Sequence, residues 1–406
     1  MKFMEEKLQT RVGNAYDVIV AGGGPSGCAA AIAAARAGSR VLLVENQGCL
    51  GGMWTAGFVN PLFDNKNKGG LLAEWIEDLK SHDAWGGFWD ISFHYEYMKE
   101  LLERKCLEAG VTLLLDTRYT GVKTEGNRVC GVFTDSIDGR VYYPAGVVVD
   151  ATGDAAVAAD ARAEWVLGDD NQSCQAMTLM FLVGNIPEKY RDGLNLHDVL
   201  FRAYERQGQN RKMPFEKPFL IPVPNADFGV VQLTHMRGFS PLSAEQRSLA
   251  LVEGRKQVLE IFELLREYDE DFKSLMLLQT APLLGIRESR RIVGEYCLTE
   301  EDLMNGAQFE DGITTATFGI DIHDADSTNQ TCRGVKPYQI PYRCLIPRGI
   351  EGLLVAGKTI SGTHVAMASY RVTGDCCAMG EAAGKAASYA VLNHVSIRGV
   401  PVTKII

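Results

Sequence analysis

What this chain lacks removes several classes of function. No apolar run reaches the length of a membrane span; AAAIAAARAG is apolar, but it is an alanine-rich segment directly behind a strand-like one. No C-x-x-C pair occurs among the ten cysteines, which argues against an iron–sulfur cluster, a zinc knuckle or a thioredoxin-type dithiol. Their scatter forms no disulfide framework, and the adjacent Cys376 and Cys377 read as small buried residues. There is no basic stripe and the formal net charge is −10, so neither nucleic acid nor a membrane surface is an expected partner. Low-complexity tracts, internal repeats and flexible linkers are absent as well. The opening MKFMEEKLQTRVGNAYD has no apolar signal-peptide core, so a cytoplasmic protein is expected.

What is present is a globular composition, 46% hydrophobic and 23% charged, in 406 residues, a length that favours two domains. YDVIVAGGGPSG predicts a strand over 16–21, then Gly22-x-Gly24-x-x-Gly27, a helix to about Ala37 and a second strand, SRVLLVE, ending at Glu45. In such a unit the glycines permit a tight turn, close approach of a pyrophosphate, and helix–strand packing. The helix N-terminus offers N–H groups and positive dipole to the phosphate. Glu45 lies about 20 positions beyond the first glycine, where an acid reaches a ribose hydroxyl.

The next segment favours FAD over NAD. NQGCLGGMWTAGFVNP is a small-residue loop where an NAD domain would normally enter its next helix, and exposed main chain suits a longer cofactor. VTLLLDTRYTGVKT and NRVCGVFTD read as strands leading to the buried strand AGVVVDATGDA, 145–155. Residues 350–392 repeat the pattern of strand, glycine, loop and small-residue helix, whose start could face a flavin ring.

With these elements in place the chain resembles the broad FAD-dependent oxidoreductase family and, more widely, the succinate dehydrogenase/fumarate reductase-type flavoprotein superfamily. The resemblance rests on LGGMWTAGFVNP (50–61), QAMTLMF (175–181), GIRESRRIVGEY (285–296), DIHD (321–324), PYRCLIP (341–347) and LLVAGKTISGTHVAMASYR (353–371), and covers nearly the whole chain. It implies that Gly22, Gly24, Pro25, Ser26 and Gly27 hold the pyrophosphate, and that Glu45, with Asn46, meets the adenosine ribose. Gly51, Gly52, Met53 and Thr55 would line the phosphate–flavin path, and Tyr119 backbone would meet adenine. Ala151, Thr152 and Gly153 would close over the cofactor, with Gly357, Arg371 and Val372 near the ribityl chain and ring. Trp54 stands where a small residue is more usual, a departure that bears on the shape of the flavin-proximal pocket. The loop lacks the histidine through which several relatives attach FAD, so binding is expected to be non-covalent although Cys49 is present.

The expected fold is α/β: a Rossmann-like, three-layer ββα FAD-binding domain, discontinuous over 14–165 and 331–406, with an inserted α+β cap domain at 166–330. In the insert, 194–210 and 243–278 are helical by spacing, and 217–238 reads as a hairpin.

A flavin performs hydride transfer itself, so the protein must place substrate and move a proton. His364 is a candidate for the proton because histidine titrates near neutrality, the alternative being a bond to loop backbone. Arg371 could neutralise the flavin N1–O2 edge, grip a substrate carboxylate, or simply pair with Asp375 or Glu381. His323, among Asp321, Asp324 and Asp326, could line the pocket; the acids follow turn logic and no metal is expected. GIRESRRIVGEY reads as an extended segment entering a strand where the insert returns to the FAD domain, its charges first of all a structural network that fixes the angle between the two; the alternative is one face that carries Arg287, with Ser289, to the pocket. The expected partners are a small-molecule substrate and an unidentified electron donor or acceptor, with a homo-oligomer left open. The leading expectation is hydride transfer to or from a small organic molecule. A flavin monooxygenase or halogenase, or a flavin-bearing electron-transfer subunit, is the alternative.

Overall fold

The computed structural model describes residues 7–190, 192–206, 214 and 217–406. Strands of its main sheet are continuous apolar runs, as parallel strands buried on both faces require. β1 (Tyr16–Ala21) and β2 (Val41–Val44) are parallel and joined by α1 (Pro25–Arg36). After α2 (Gly70–Ser81) and α3 (Tyr95–Glu108), β3 (Thr112–Leu114) extends the sheet beside β2. β4 (Arg118–Glu125), β5 (Arg128–Ser136) and β6 (Gly139–Asp150) form an antiparallel meander. β6 serves two layers: its first half pairs with β5 and its second half runs parallel to β1. The expected single strand over 111–124 is therefore two, broken where Asp116 takes a φ of +47° between the parallel sheet and the meander.

The insert is built on a second, antiparallel sheet. β7 (Phe181–Gly184) precedes α4 (His197–Arg206), the described part of the helix expected over 194–210; residues 207–210 lie outside the described residues. β8 (Phe219–Pro222) and β9 (Phe228–Gln232) are the expected hairpin, β9 pairs with β7, and β10 (Met276–Thr280) closes the far side. Between β9 and β10 lies the long helix α5 (Ala244–Tyr268), capped by Ser243 on Gln246 N. A further hairpin, β11 (Ile320–His323) and β12 (Gln330–Arg333), precedes the return to the first sheet. There β13 (Leu353–Val355) runs parallel to β6, followed by α6 (His364–Tyr370) and α7 (Thr373–Leu392).

Side chains of the parallel strands alternate between two cores. Val18, Val20, Val41, Leu43, Val147 and Val149 pack under the helices, while Ile19, Ala21, Leu42, Val44 and Val148 pack toward the meander. This is the three-layer ββα arrangement. The helical layer is tight because α1 is rich in alanine and α7 crosses it on glycines: a Cβ at Gly384 would lie 2.1 Å from Ala30 O. Gly384→Val is therefore expected to lower stability by about 3 kcal/mol, read from the urea midpoint, because the two backbones must separate.

Candidate active site

The turn after β1 is shaped by contacts that only glycine allows. Gly22 has φ +100°, and a Cβ there would lie 2.4 Å from Ala151 O. Gly24, the N-cap of α1, is different: its φ and ψ are extended (−72°, −174°) and a Cβ there meets nothing within 4 Å. Space is thus kept open directly above a helix start whose first residue, Pro25, needs no acceptor for an N–H. Ser26 and Gly27 follow in the buried first turn. Glu45 closes the other side, Oε2 accepting from Gly23 N at 2.5 Å and Oε1 from Gln47 N at 2.8 Å. Burial pushes its carboxyl up, and Asn46 beside it is exposed. Thr117 N donates to Glu45 O at 3.0 Å, which brings the strand carrying Tyr119 alongside.

The loop after β2 folds back on this turn, Gly51 N donating to Gly23 O at 2.8 Å. Gly52 lies close over Gly24, and Met53 points into a cavity beyond. Thr55 is fully buried and donates to Leu50 O at 2.5 Å, so its side chain shapes the loop from behind. Trp54 turns away from the cavity. It is buried against Trp75 and Phe93, ring centroids 6.1 and 6.0 Å away, and does not line the pocket. Asp150, buried at the end of β6, accepts from Thr152 Oγ1 and from the N–H groups of Thr152 and Ala158. That fixes Ala151 to Gly153, and Lys358, one residue after Gly357, donates to Gly153 O.

The cavity encloses about 170 Å³ between these loops and the second sheet. Met53, Arg287, Asp321, His323, Lys358, Arg371 and Val372 contribute to its lining. Arg371 pairs with neither Asp375 nor Glu381. Its Nη2 donates to Asp321 O (2.8 Å) and Oδ2 (3.2 Å), while Asp375 pairs with Lys68 and Glu381 with Lys385. Arg371 Nε is buried with no acceptor among the described residues. His323 is buried, its Nε2 3.2 Å from Asp321 Oδ2 and its Nδ1 2.9 Å from His235 Nε2.

GIRESRRIVGEY divides differently from the alternation expected of an extended segment. Only Arg291–Ile292 is strand, paired with Trp165–Val166. Arg287 turns to the cavity, where Nη1 donates to Ala176 O at 2.7 Å. Among the described residues no carboxylate pairs with it, and burial together with the charge of Arg371 pulls its pKa down to about 9. Ser289, expected on the same face, sits by Asp154 outside the lining. Glu288 is a buried hub: it accepts from Arg291 Nη1 and, at 3.1 Å, from Gln175 N, with His364 Nδ1 2.9 Å away. Arg291 also donates to Gly362 O and Gly168 O. His364 therefore sits on Glu288, outside the lining of the cavity. The neighbouring loop after β13, rather than α6, faces inward.

Asp321, Lys358 and His235 were not singled out in the sequence as site residues. Lys358 had a legible signal, a cation directly after the glycine that ends β13. His235 had none, lying just past an ordinary strand.

Burial, then Arg287, holds His323 down to about 3, and His235 is also depressed, chiefly by burial. A folded pKa below the ordinary histidine value means the unfolded chain binds protons more readily between about pH 3 and 6.5. Stability is therefore expected to fall by about 2 kcal/mol from pH 7 to pH 5, measured by urea unfolding at each pH.

A helix start left open at Gly24, an acid at the end of β2 and loops converging from β6 and β13 define a dinucleotide-binding α/β protein. The chain matches the FAD dependent oxidoreductase family over residues 17–406 and belongs to it. It is an oxidoreductase, and its cofactor is FAD. The open space above Gly24 and the orphaned Arg371 Nε fit that group. Thiamine thiazole synthase of Aeropyrum pernix is 34% identical over 177 residues, 36% of this chain and 58% of that protein. The tRNA uridine 5-carboxymethylaminomethyl modification enzyme of Chlorobium phaeovibrioides is 34% identical over 149 residues, 31% of this chain and 22% of that protein. The chain thus spans less than two thirds of either relative's length. A myxobacterial chondrochloren halogenase superposes with a TM-score of 0.53 at 15% identity, over 96% of this chain and 77% of that one, a likeness of fold alone. Among the described residues no helix is long and apolar enough to cross a membrane.

Proposed function

We propose that this enzyme moves a hydride between its flavin and a small organic anion, a carboxylate first of all, held by Arg287. The observation that carries the reading is a guanidinium buried at the cavity wall with no carboxylate partner among the described residues. An unpaired buried cation costs several kcal/mol, a cost that an anionic guest offsets. Bound FAD supplies the two-electron acceptor or donor for a C–H bond.

The chain's own residues would do the rest. Gly22 to Gly27 and the start of α1 hold the pyrophosphate, Glu45 the ribose, and Tyr119 backbone the adenine side. Gly51 to Met53, Ala151 to Gly153, Gly357 and Val372 lead to the ring, where Arg371 Nε finds its acceptor. Arg287 orients the substrate anion, and Asp321 with His323 takes or returns the proton of the substrate heteroatom. His364 acts at one remove, by fixing Glu288. Residues 14–165 and 331–406 form the cofactor part and 166–330 the cap over it. The motifs at 50–61, 175–181, 285–296 and 341–347 support a place beside the succinate dehydrogenase/fumarate reductase-type flavoproteins.

FAD is held without a covalent bond, since the loop after β2 offers no histidine and Cys49 lies against Thr55. Acid precipitation is expected to leave yellow supernatant; a yellow pellet would contradict this. The substrate reading is tested by anaerobic screening of flavin bleaching with hydroxy, amino and unsaturated carboxylic acids against their amides. Bleaching by acids alone is expected. NAD(P)H-driven oxygen uptake with no bleaching by any acid would replace the reading with a monooxygenase or halogenase.

A further inference from the structure

Two cavities approach each other through a pair of histidines. Asp321 and His323 line the inner cavity. His235, just beyond β9, lines a second cleft of about 400 Å³ together with Arg237, Glu253, Lys256 and Glu260. The rings meet, His235 Nε2 lying 2.9 Å from His323 Nδ1. At the inner end His323 Nε2 faces Asp321 Oδ2 at 3.2 Å; at the outer end His235 Nδ1 faces Leu233 O at 3.2 Å.

We infer that the His323–His235 pair is a proton conduit that carries the substrate's proton from the inner cavity to the outer cleft. It rests on the reading that substrate occupies the inner cavity.

Hydrogen-bond counting supports it. Among the described residues the series has three links and an oxygen acceptor at each end, whereas two neutral imidazoles supply two N–H groups. One more proton completes the chain, and two tautomer patterns, both rings protonated at Nδ1 or both at Nε2, differ only in which end lacks a hydrogen. Moving a proton through converts the first pattern into the second. Both rings are also held in place. His323 N donates to Gln175 Oε1 at 3.1 Å, while Gln257 accepts from His235 N at 3.0 Å and donates to His235 O at 3.2 Å.

The charges around the pair set when it loads. Arg287 and Arg371 face it from the inner side with Asp321, and Arg237 bears on the outer ring, with Glu253, Lys256 and Glu260 across the cleft. An anion on Arg287 removes part of the repulsion that keeps His323 neutral, so substrate binding readies the pair. As the C–H hydride leaves for the oxidised cofactor, the substrate's O–H or N–H bond breaks and its proton passes by Asp321 to His323 Nε2. His323 Nδ1 passes a proton to His235 Nε2, and His235 Nδ1 releases one to water in the cleft. Oxidation thus leaves both rings protonated at Nε2, and reduction of a second molecule in the same cavity runs the same steps backward and restores Nδ1, so the two half-reactions together reset the pair.

The test needs no identified substrate. In protein carrying ¹⁵N-histidine, a scalar coupling across His235 Nε2 and His323 Nδ1 is expected. Exchange of the His323 N–H with solvent is then followed with acetate as a probe in the inner cavity. His235→Gln, which keeps a hydrogen-bonding side chain, should slow this exchange at least tenfold, and imidazole added to the solution should restore it through the cleft. Absence of the coupling, or equal exchange in the two proteins, overturns the conduit. Failure of acetate to bind sinks the substrate reading instead, and the exchange comparison without acetate still decides the conduit.

Discussion

Arg287→Met is expected to leave the protein at least as stable as its parent, by up to about 2 kcal/mol more stable, while kcat/KM for a carboxylate substrate falls about 100-fold. Burial takes the guanidinium out of water, and the one bond it makes among the described residues, to Ala176 O, does not neutralise it. Methionine fills similar volume without the charge, so the folded protein loses a hydrogen bond worth about 1 kcal/mol and sheds a larger desolvation cost. Four residues away the sign reverses. Arg291 is 3% exposed, pairs with Glu288 and donates to two carbonyls from distant loops. Arg291→Met strands the Glu288 carboxylate, and a loss of about 3–5 kcal/mol is expected. Urea unfolding of the two variants separates a binding arginine from an architectural one within a single motif.

Gly24→Val is expected to fold with a loss of about 1 kcal/mol, the usual cost of a poor N-cap, yet to bind FAD at least 100-fold more weakly. The backbone at Gly24 already has a conformation open to any residue, and the added side chain meets no protein atom. What it fills is the space over the α1 N-terminus. Flavin fluorescence during equilibrium dialysis reads the affinity, and thermal unfolding of the apo-protein reads the stability. Retention of FAD by this variant would place the pyrophosphate elsewhere.

The cofactor half was legible because its signals are local. Strand, glycines, helix and acid follow one another between Tyr16 and Glu45, and the β-strands are continuous apolar runs whose period needs no partner to be seen. The catalytic half is assembled from a distance. Arg287, Asp321 and Arg371 meet only after β10, the β11–β12 hairpin and β13 have been placed, and no spacing along the chain encodes that meeting. GIRESRRIVGEY misled in the same way: strict alternation would put Arg287 with Ser289, but only Arg291–Ile292 is strand, and the residues before it are irregular, with Glu288 and Arg291 drawn into a buried network. Trp54 turns from the pocket side of its loop because its aromatic partners, Trp75 and Phe93, lie in α2 and just before α3. QAMTLMF gains a physical reason only in three dimensions. Gln175 bridges Glu288 and His323 through its backbone N–H and side-chain oxygen, and Ala176 O receives Arg287.

The central claim is that Arg287 waits for an anion beside the flavin, and a spectral titration of the FAD-loaded protein tests it most directly. Acetate should perturb the visible flavin band saturably, acetamide should not, and Arg287→Met should abolish the acetate response while keeping its flavin. Equal responses to acetate and acetamide, or an unchanged acetate response in Arg287→Met, would contradict it.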